Sequence, residues 1–516
     1  MDVSVIVRFK NEAEYLEAVL RAVQSQRIAG DFEIVAVDNE STDQSPVIAQ
    51  RYADRFIQLD TYRPGRALNQ AIEQACGKYI AVLSAHTIPA NSNWLHTLMT
   101  HMQTPGLAGV YGGQLYNSNS KFLDKRDLDI FSCLEPRVET TDTDFWNANS
   151  MFPRVVWESM PFDETVFELE DHYWTKLLTR QGYVIHFEPE ALVYHYAHID
   201  RIDREFLSPS FLSEEQRITA ATEALNNPNA DWPKVMRAGL ELSSLTHNSD
   251  IFHALPALTQ CLGSHWDFDV RWRMAQALGK IPHEESVKAL ISALSDDSFY
   301  PRDEAAWSLA RIGTLATGAL ERAIPSLSVD SRPFAALALG LSGTSGGEDL
   351  ALELLKEELF SCCPQRERDA VYVLGELAQL DIRPLFTPQI DRLFEGSNEL
   401  VQVVCWALGC MAVKGMESHL LSRLQQLSAV HEDQLVRFEA TVALGKYALC
   451  FEDEDVIASI VAAANDPESR VRYGAAQSLR LIVENGGKVP YLIHDLDSES
   501  DFGVHYEFEL IEKYKI

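Results

Sequence analysis

Between residues 1 and 200, apolar positions fall in short β-branched runs separated by amphipathic stretches. Val3–Val7, Phe32–Val37, Phe56–Leu59 and Tyr79–Leu83 read as strands, since short runs rich in Val and Ile between polar turns suit a sheet covered on both faces. Glu12–Gln26, Ser45–Tyr52 and Ala67–Cys76 read as helices. Pro46 falls in the first turn of the second helix, where a missing N–H costs nothing, and Gly77 is placed to cap the third. Strands alternating with helices predict an α/β domain, a mostly parallel sheet with helices on both faces. Residues 114–145 are polar and irregular and read as a loop-rich insertion.

From about residue 265 the pattern changes to helical spacing, and a short motif recurs: Arg-x-x-x-Ala-x-Ala-Leu-Gly and its variants. The copies are Arg271–Gly279, Arg302–Ala310, Arg332–Gly340, Ala370–Gly375, Val401–Gly409, Arg437–Gly445 and Arg472–Arg480. Their shared leucines, Leu278, Leu309, Leu339, Leu374, Leu408, Leu444 and Leu479, are spaced 31, 30, 35, 34, 36 and 35 residues apart. Self-similarity at such a period predicts stacked helical hairpins, an all-α solenoid, with small Ala and Gly letting neighbouring helices approach. Many copies follow an acidic turn such as Asp296-Asp297 or Asn465-Asp466-Pro467. The pattern resembles the HEAT-like repeats also found in phycobilisome lyases. The expected organisation is an α/β domain over 1–205, a helical connector over 206–264, a solenoid over 265–489 and a C-terminal cap over 490–516.

The formal charge of −32 over 516 residues argues against broad contact with a nucleic-acid backbone, which needs a basic face, and against an anionic membrane surface. Eight cysteines without a CxxC pair fit reduced thiols rather than a disulfide frame or a zinc ribbon. No apolar run reaches the about 18 residues of a membrane span, and no leader pattern precedes the first strand. A cytoplasmic protein is expected.

The candidate chemistry gathers where the strands end. Val3–Arg8 leads into Asn11-Glu12, and Val35–Val37 leads into Asp38-Asn39-Glu40-Ser41-Thr42-Asp43. In open α/β sheets ligands bind at these carboxyl ends, and Asp38 there can accept hydrogen bonds from a nucleobase or ribose. Asp43 is expected to cap the helix that follows, with Ser41 and Thr42 as rivals.

This pair of segments resembles the opening of the family 2 glycosyltransferases, nucleotide-sugar enzymes of the GT-A fold. The resemblance implies an inverting, divalent-metal-assisted transfer of a sugar to an acceptor hydroxyl of a polysaccharide, glycolipid or protein. Phe162-Asp163-Glu164 and the run Glu168-Leu169-Glu170-Asp171 resemble the family's Glu-Asp motif. By that likeness Asp171 is the base, with Glu170 beside it, and 114–145 lies on the acceptor side. Arg8, Asn11, Glu12, Asp38, Ser84 and Asn69 are then candidate donor contacts. Arg63 and Arg66 stand where the family often places a cation near the diphosphate, with Arg66 the better placed. Asn147 and Asn149 are candidates for sugar hydroxyls or for loop backbone, and Gly112-Gly113-Gln114 corresponds to a stretch flanking the donor sugar.

The family holds Mn²⁺ or Mg²⁺ with an Asp-x-Asp motif after the fourth strand. Here that place reads Ser84-Ala85-His86. The resemblance makes His86 a candidate metal ligand and His195, in Tyr194-His195-Tyr196-Ala197-His198, its partner, with His198 in reserve. The repeats imply a protein partner or acceptor. A catalytically silent nucleotide-sugar-binding scaffold and a bilin-lyase-like module are the alternatives.

Overall fold

The computed structural model describes residues 1–116, 135–141, 145–196, 213–245, 249–380, 385, 390–489 and 498–514. The chain divides into two compact units, one of residues 1–206 with 464–516 and the other of 207–463.

The first unit is built on a sheet of nine strands among the described residues: β1 (Val3–Phe9), β2 (Phe32–Asp38), β3 (Arg55–Gln58), β4 (Tyr79–Ser84), β5 (Thr87–Pro89), β6 (Leu107–Tyr116), β7 (Arg137–Glu139), β8 (Asn149–Pro153) and β9 (Val184–His195). Their order is β3-β2-β1-β4-β8-β6-β9-β5, with β7 also on β9. The strands from β3 to β4 are parallel, as their βαβ connections require. Beyond β4 the sheet is mixed: β8 is antiparallel to both β4 and β6, and β6 is parallel to β9.

The helices Leu16–Gln24, Ser45–Tyr52 and Pro64–Gln74 lie close to their expected places. The first begins later than its sequence pattern, because residues 13–15 form a turn. The third starts on Pro64 and ends at Gln74, so Gly77 is not its cap. A side chain at Gly77 would meet the backbone of Val3 and Ser4, and that close approach is what requires glycine. Asp43 accepts the N–H of Ser45 at 2.9 Å and that of Ala13 at 3.1 Å, while Ser41 accepts from Asn11. Of the 114–145 insertion, residues 114–116 continue β6 and 137–139 form β7; residues 117–134 and 142–144 lie outside the described residues.

This unit also contains the last repeat motif. Its helix Ser469–Glu484 packs with the helix Phe502–Tyr514. Both meet the end of β9: Tyr194 stacks on Tyr473 with ring centroids 3.8 Å apart, and Arg470 sits against the Pro189 carbonyl at 3.1 Å.

The second unit is all-helical. Phe268–Leu278, Phe299–Ile312, Arg332–Leu341, Pro364–Glu376, Asn398–Met411 and Gln434–Cys450 each pack on the next. All seven motif leucines, six here and Leu479 in the first unit, are buried. The motif arginine fastens the turn before its helix. Arg271 donates to the carbonyls of His265 and Trp266, and Arg437 to those of His431 and Glu432. Arg271 also holds Asp296 through two bonds of 2.7 Å, so acidic turns are braces between repeats.

Candidate active site

Three parallel strands deliver their last residues side by side. Arg8 of β1 is in register with Ser84 of β4, and Phe9 with Asp38 of β2. The loop before β8 adds Asn147, and the helix Glu170–Arg180 adds its first two residues.

Glu170 and Asp171 are both buried at that helix start, preceded by Leu169 in the left-handed region at φ 54°. Glu170 pairs with Arg8 at 3.1 Å, and the same guanidinium reaches the Pro64 carbonyl at 3.2 Å. Asp171 accepts the backbone N–H of Asn147 at 2.7 Å and that of His172 at 3.0 Å. Burial first, and the charge of Glu170 second, push the Asp171 carboxyl up to about 6. Tyr62 lies in the same field: burial raises its phenol, against the charge of Arg8.

Asp38 is fully buried. One oxygen accepts the N–H of Ser41 at 3.1 Å, and Oδ2 has no partner among the described residues. A buried carboxylate oxygen left this way is costly unless a ligand completes it. Asn147 is similar: its Oδ1 accepts from Ser150, and its Nδ2 has no partner among the described residues. Asn11, at φ 55°, locks the two loops together by accepting the N–H of Thr42 at 2.7 Å. Ser84 uses its backbone on Ala148 and Thr87.

Two expected donor contacts are braces instead. Asn69 spends its whole amide inside the protein: Nδ2 donates to Phe162 and Glu164, and Oδ1 accepts from Trp157 and Phe162. Asn149 donates to the carbonyls of Gly113 and Ala191 and accepts from Trp94, tying β8 to β6 and β9. Neither keeps an atom for a sugar. Gly112 and Gly113 lie where β6 crosses close to β9, too tight for side chains. Arg66 is partly exposed beside Asp60 at 3.4 Å, and Arg63 lies over the ring of Phe167.

His86 and His195 do come together. Their rings stack 5.1 Å apart with planes only 4° from parallel, and His86 Nδ1 lies 3.2 Å from Glu12 Oε1. Both nitrogens of His195 are buried without a partner among the described residues, and burial followed by His86 holds its imidazole well below the ordinary value. Two imidazoles and a neighbouring carboxylate are donor types that a divalent ion takes. Among the described residues no three His, Cys, Asp or Glu side chains are grouped to hold a metal; His198 lies outside them.

Sequence reasoning missed Tyr62, Tyr194 and Tyr196. Nothing in their spacing shows that Tyr62 joins Arg8 and Glu170, or that the other two flank His195.

Residues 4–160 match the family profile of Glycosyl transferase family 2, and residues 255–339 and 388–480 match HEAT repeats. Glycosyltransferase AglE of Haloferax volcanii is 27% identical over 204 residues, 38% of this chain and 67% of that protein. Among solved structures, the mannosyltransferase PcManGT from Pyrobaculum calidifontis, in complex with GDP-Man and Mn²⁺, is 18% identical with a TM-score of 0.33 over 57% of this chain and 88% of that one. TarS 1–349 of S. aureus is 18% identical with a TM-score of 0.34 over 63% and 92%. Among the described residues no helix is long and apolar enough to cross a membrane.

Proposed function

We propose that this chain, a family 2 glycosyltransferase domain joined to HEAT repeats, moves a sugar from a nucleotide-sugar to an acceptor hydroxyl with inversion. The observation that carries the reading is Asp171. It is a buried carboxylate at a helix N-terminus, held by two N–H groups, and raised to about 6. A base with that value is ionised at neutral pH and still basic enough to take a proton.

The acceptor oxygen attacks the anomeric carbon as its proton passes to Asp171. The bond from that carbon to the diphosphate oxygen breaks, and the nucleoside diphosphate leaves with the electron pair. The open Oδ2 of Asp38 supports a role in holding the nucleoside. Arg66 supplies a cation for the diphosphate, as its place in the first turn of the third helix suggests. Glu170 and Arg8 fix the helix start that presents the base. Asn147 offers its unpartnered Nδ2 to the sugar or acceptor. No step is assigned to a metal on His86 and His195. The HEAT repeats bind a protein partner or a protein acceptor, as solenoids do.

The test is donor turnover over a panel of UDP-, GDP- and dTDP-sugars with wild type and Asp171→Asn. Full transfer by the variant would end the base assignment. Nucleotide binding without turnover, across donors and acceptors, would favour a silent scaffold, a reading that the replaced Asp-x-Asp motif supports.

A further inference from the structure

Strand geometry sends alternate side chains to opposite faces. At the end of β9, His195 therefore goes one way, onto His86, while Tyr194 and Tyr196 go the other. Both tyrosines are buried, and both hydroxyls end on carboxylates from the far end of the chain. Tyr194 donates to Asp501 and Tyr196 to Glu507, each at 2.8 Å. Glu507 is also held by Arg480 at 2.6 Å, and Asp501 caps the last helix by accepting the N–H groups of Gly503 and Val504.

The same helix reaches the other partner of His86. Tyr196 stacks on Tyr15 at 5.0 Å, and Tyr15 closes the turn that begins at Glu12, donating its N–H to the Glu12 carbonyl at 3.1 Å. Glu12 is the carboxylate beside His86. Tyr506, in the last helix, packs edge-on against Tyr196 and reaches the Glu14 carbonyl at 3.4 Å. The Phe502 N–H donates to Ala90, just past β5.

We infer that the segment 498–514 is a positioning element of the candidate active site, setting the His86–His195–Glu12 cluster through Tyr194 and Tyr196. Strand pairing with Thr87 and Tyr116 fixes the backbone of His195, but among the described residues neither of its ring nitrogens has a partner, and the flanking hydroxyls anchor the strand end to the last segment. These tyrosines act through His195 and the Glu12 turn. The link to catalysis rests on the transferase reading, but the geometric link does not.

The test uses the full chain with Tyr196→Phe and, separately, Glu507→Gln, following imidazole signals in histidine-labelled NMR spectra and the donor KM and kcat. Signals are assigned with His86→Ala and His195→Ala. Tyr196→Phe is expected to shift both imidazole signals and raise donor KM about tenfold, the worth of one hydrogen bond to a charged group, with a smaller effect on kcat. Glu507→Gln still accepts the Tyr196 hydroxyl and is expected to fall between wild type and Tyr196→Phe. Imidazole signals identical to wild type in Tyr196→Phe would overturn the inference, even if thermal stability fell, because the segment would then only fasten the fold. If wild type turns over no donor, the transferase reading fails and the imidazole signals alone decide this one. Should Tyr196→Phe not fold, Tyr194→Phe gives the same readouts.

Discussion

Arg8 pairs with Glu170 at 3.1 Å, and Asp171, the next residue, is held only by N–H donors of the backbone among its observed bonds. The cation is committed to one carboxylate, and the other bears both the burial and its neighbour's charge. On the proposed function, that division gives the two acids different tasks. Glu170 is the fixed member, and Asp171 is the one whose proton affinity is tuned upward.

Asp171→Asn is therefore expected to lower kcat by about 10²- to 10⁴-fold with little change in donor affinity, since a general base contributes on this scale. Steady-state kinetics with saturating donor would show it. A fall confined to donor KM would contradict the assignment.

The pH profile follows from the same group. Its carboxyl is raised to about 6, and only the ionised form accepts a proton. Activity should rise with pH through about 6 and level off near neutrality. A profile already flat at pH 5 would mean that Asp171 titrates at its ordinary value or is not the base.

Asp38 offers a second handle. Its Oδ1 is committed to Ser41, and its Oδ2 is open. Replacing it with Asn exchanges an acceptor for a donor and should weaken nucleotide binding roughly tenfold or more. Calorimetry with UDP and GDP would measure this. Unchanged affinity would move the nucleoside elsewhere.

The His86 and His195 pair makes a prediction about metal. Without donor, stoichiometric Mn²⁺ should leave the His195 imidazole signal sharp, because among the described residues no three His, Cys, Asp or Glu side chains are grouped to hold an ion. Strong paramagnetic broadening would show that the pair takes part in a site.

In the second unit, Gly375 lies against the buried ring of Trp406. Gly375→Ala should overpack this helix contact and cost about 1–3 kcal/mol, read as a lower denaturant midpoint. A neutral substitution would show that the Trp406 ring has room to move.

The repeats were legible because each turn of pattern meets its neighbour at a fixed period, so Leu278 to Leu479 could be aligned before any contact was known. The first strands and Asp38 were legible because local patterning and strand-end chemistry are short-range. Asn69 and Asn149 were not. Sequence shows an amide but not its partners, and those of Asn69 lie 88 to 95 residues away at Trp157, Phe162 and Glu164. Tyr194 and Tyr196 were hidden for the same reason: Asp501 comes 307 residues after Tyr194. Gly77 misled because its neighbour is the start of β1, not its own helix.

The split composition of the first unit also sets an order of events in synthesis. Tyr194 and Tyr196 are synthesised before any of 207–463, and Asp501 and Glu507 after all of it. Domains emerge and fold from the N-terminus. The sheet thus reaches the cell with one flank bare, two tyrosines waiting for acids not yet translated. A message cut short at residue 463 yields a protein whose sheet is complete but whose β9 flank has never been closed.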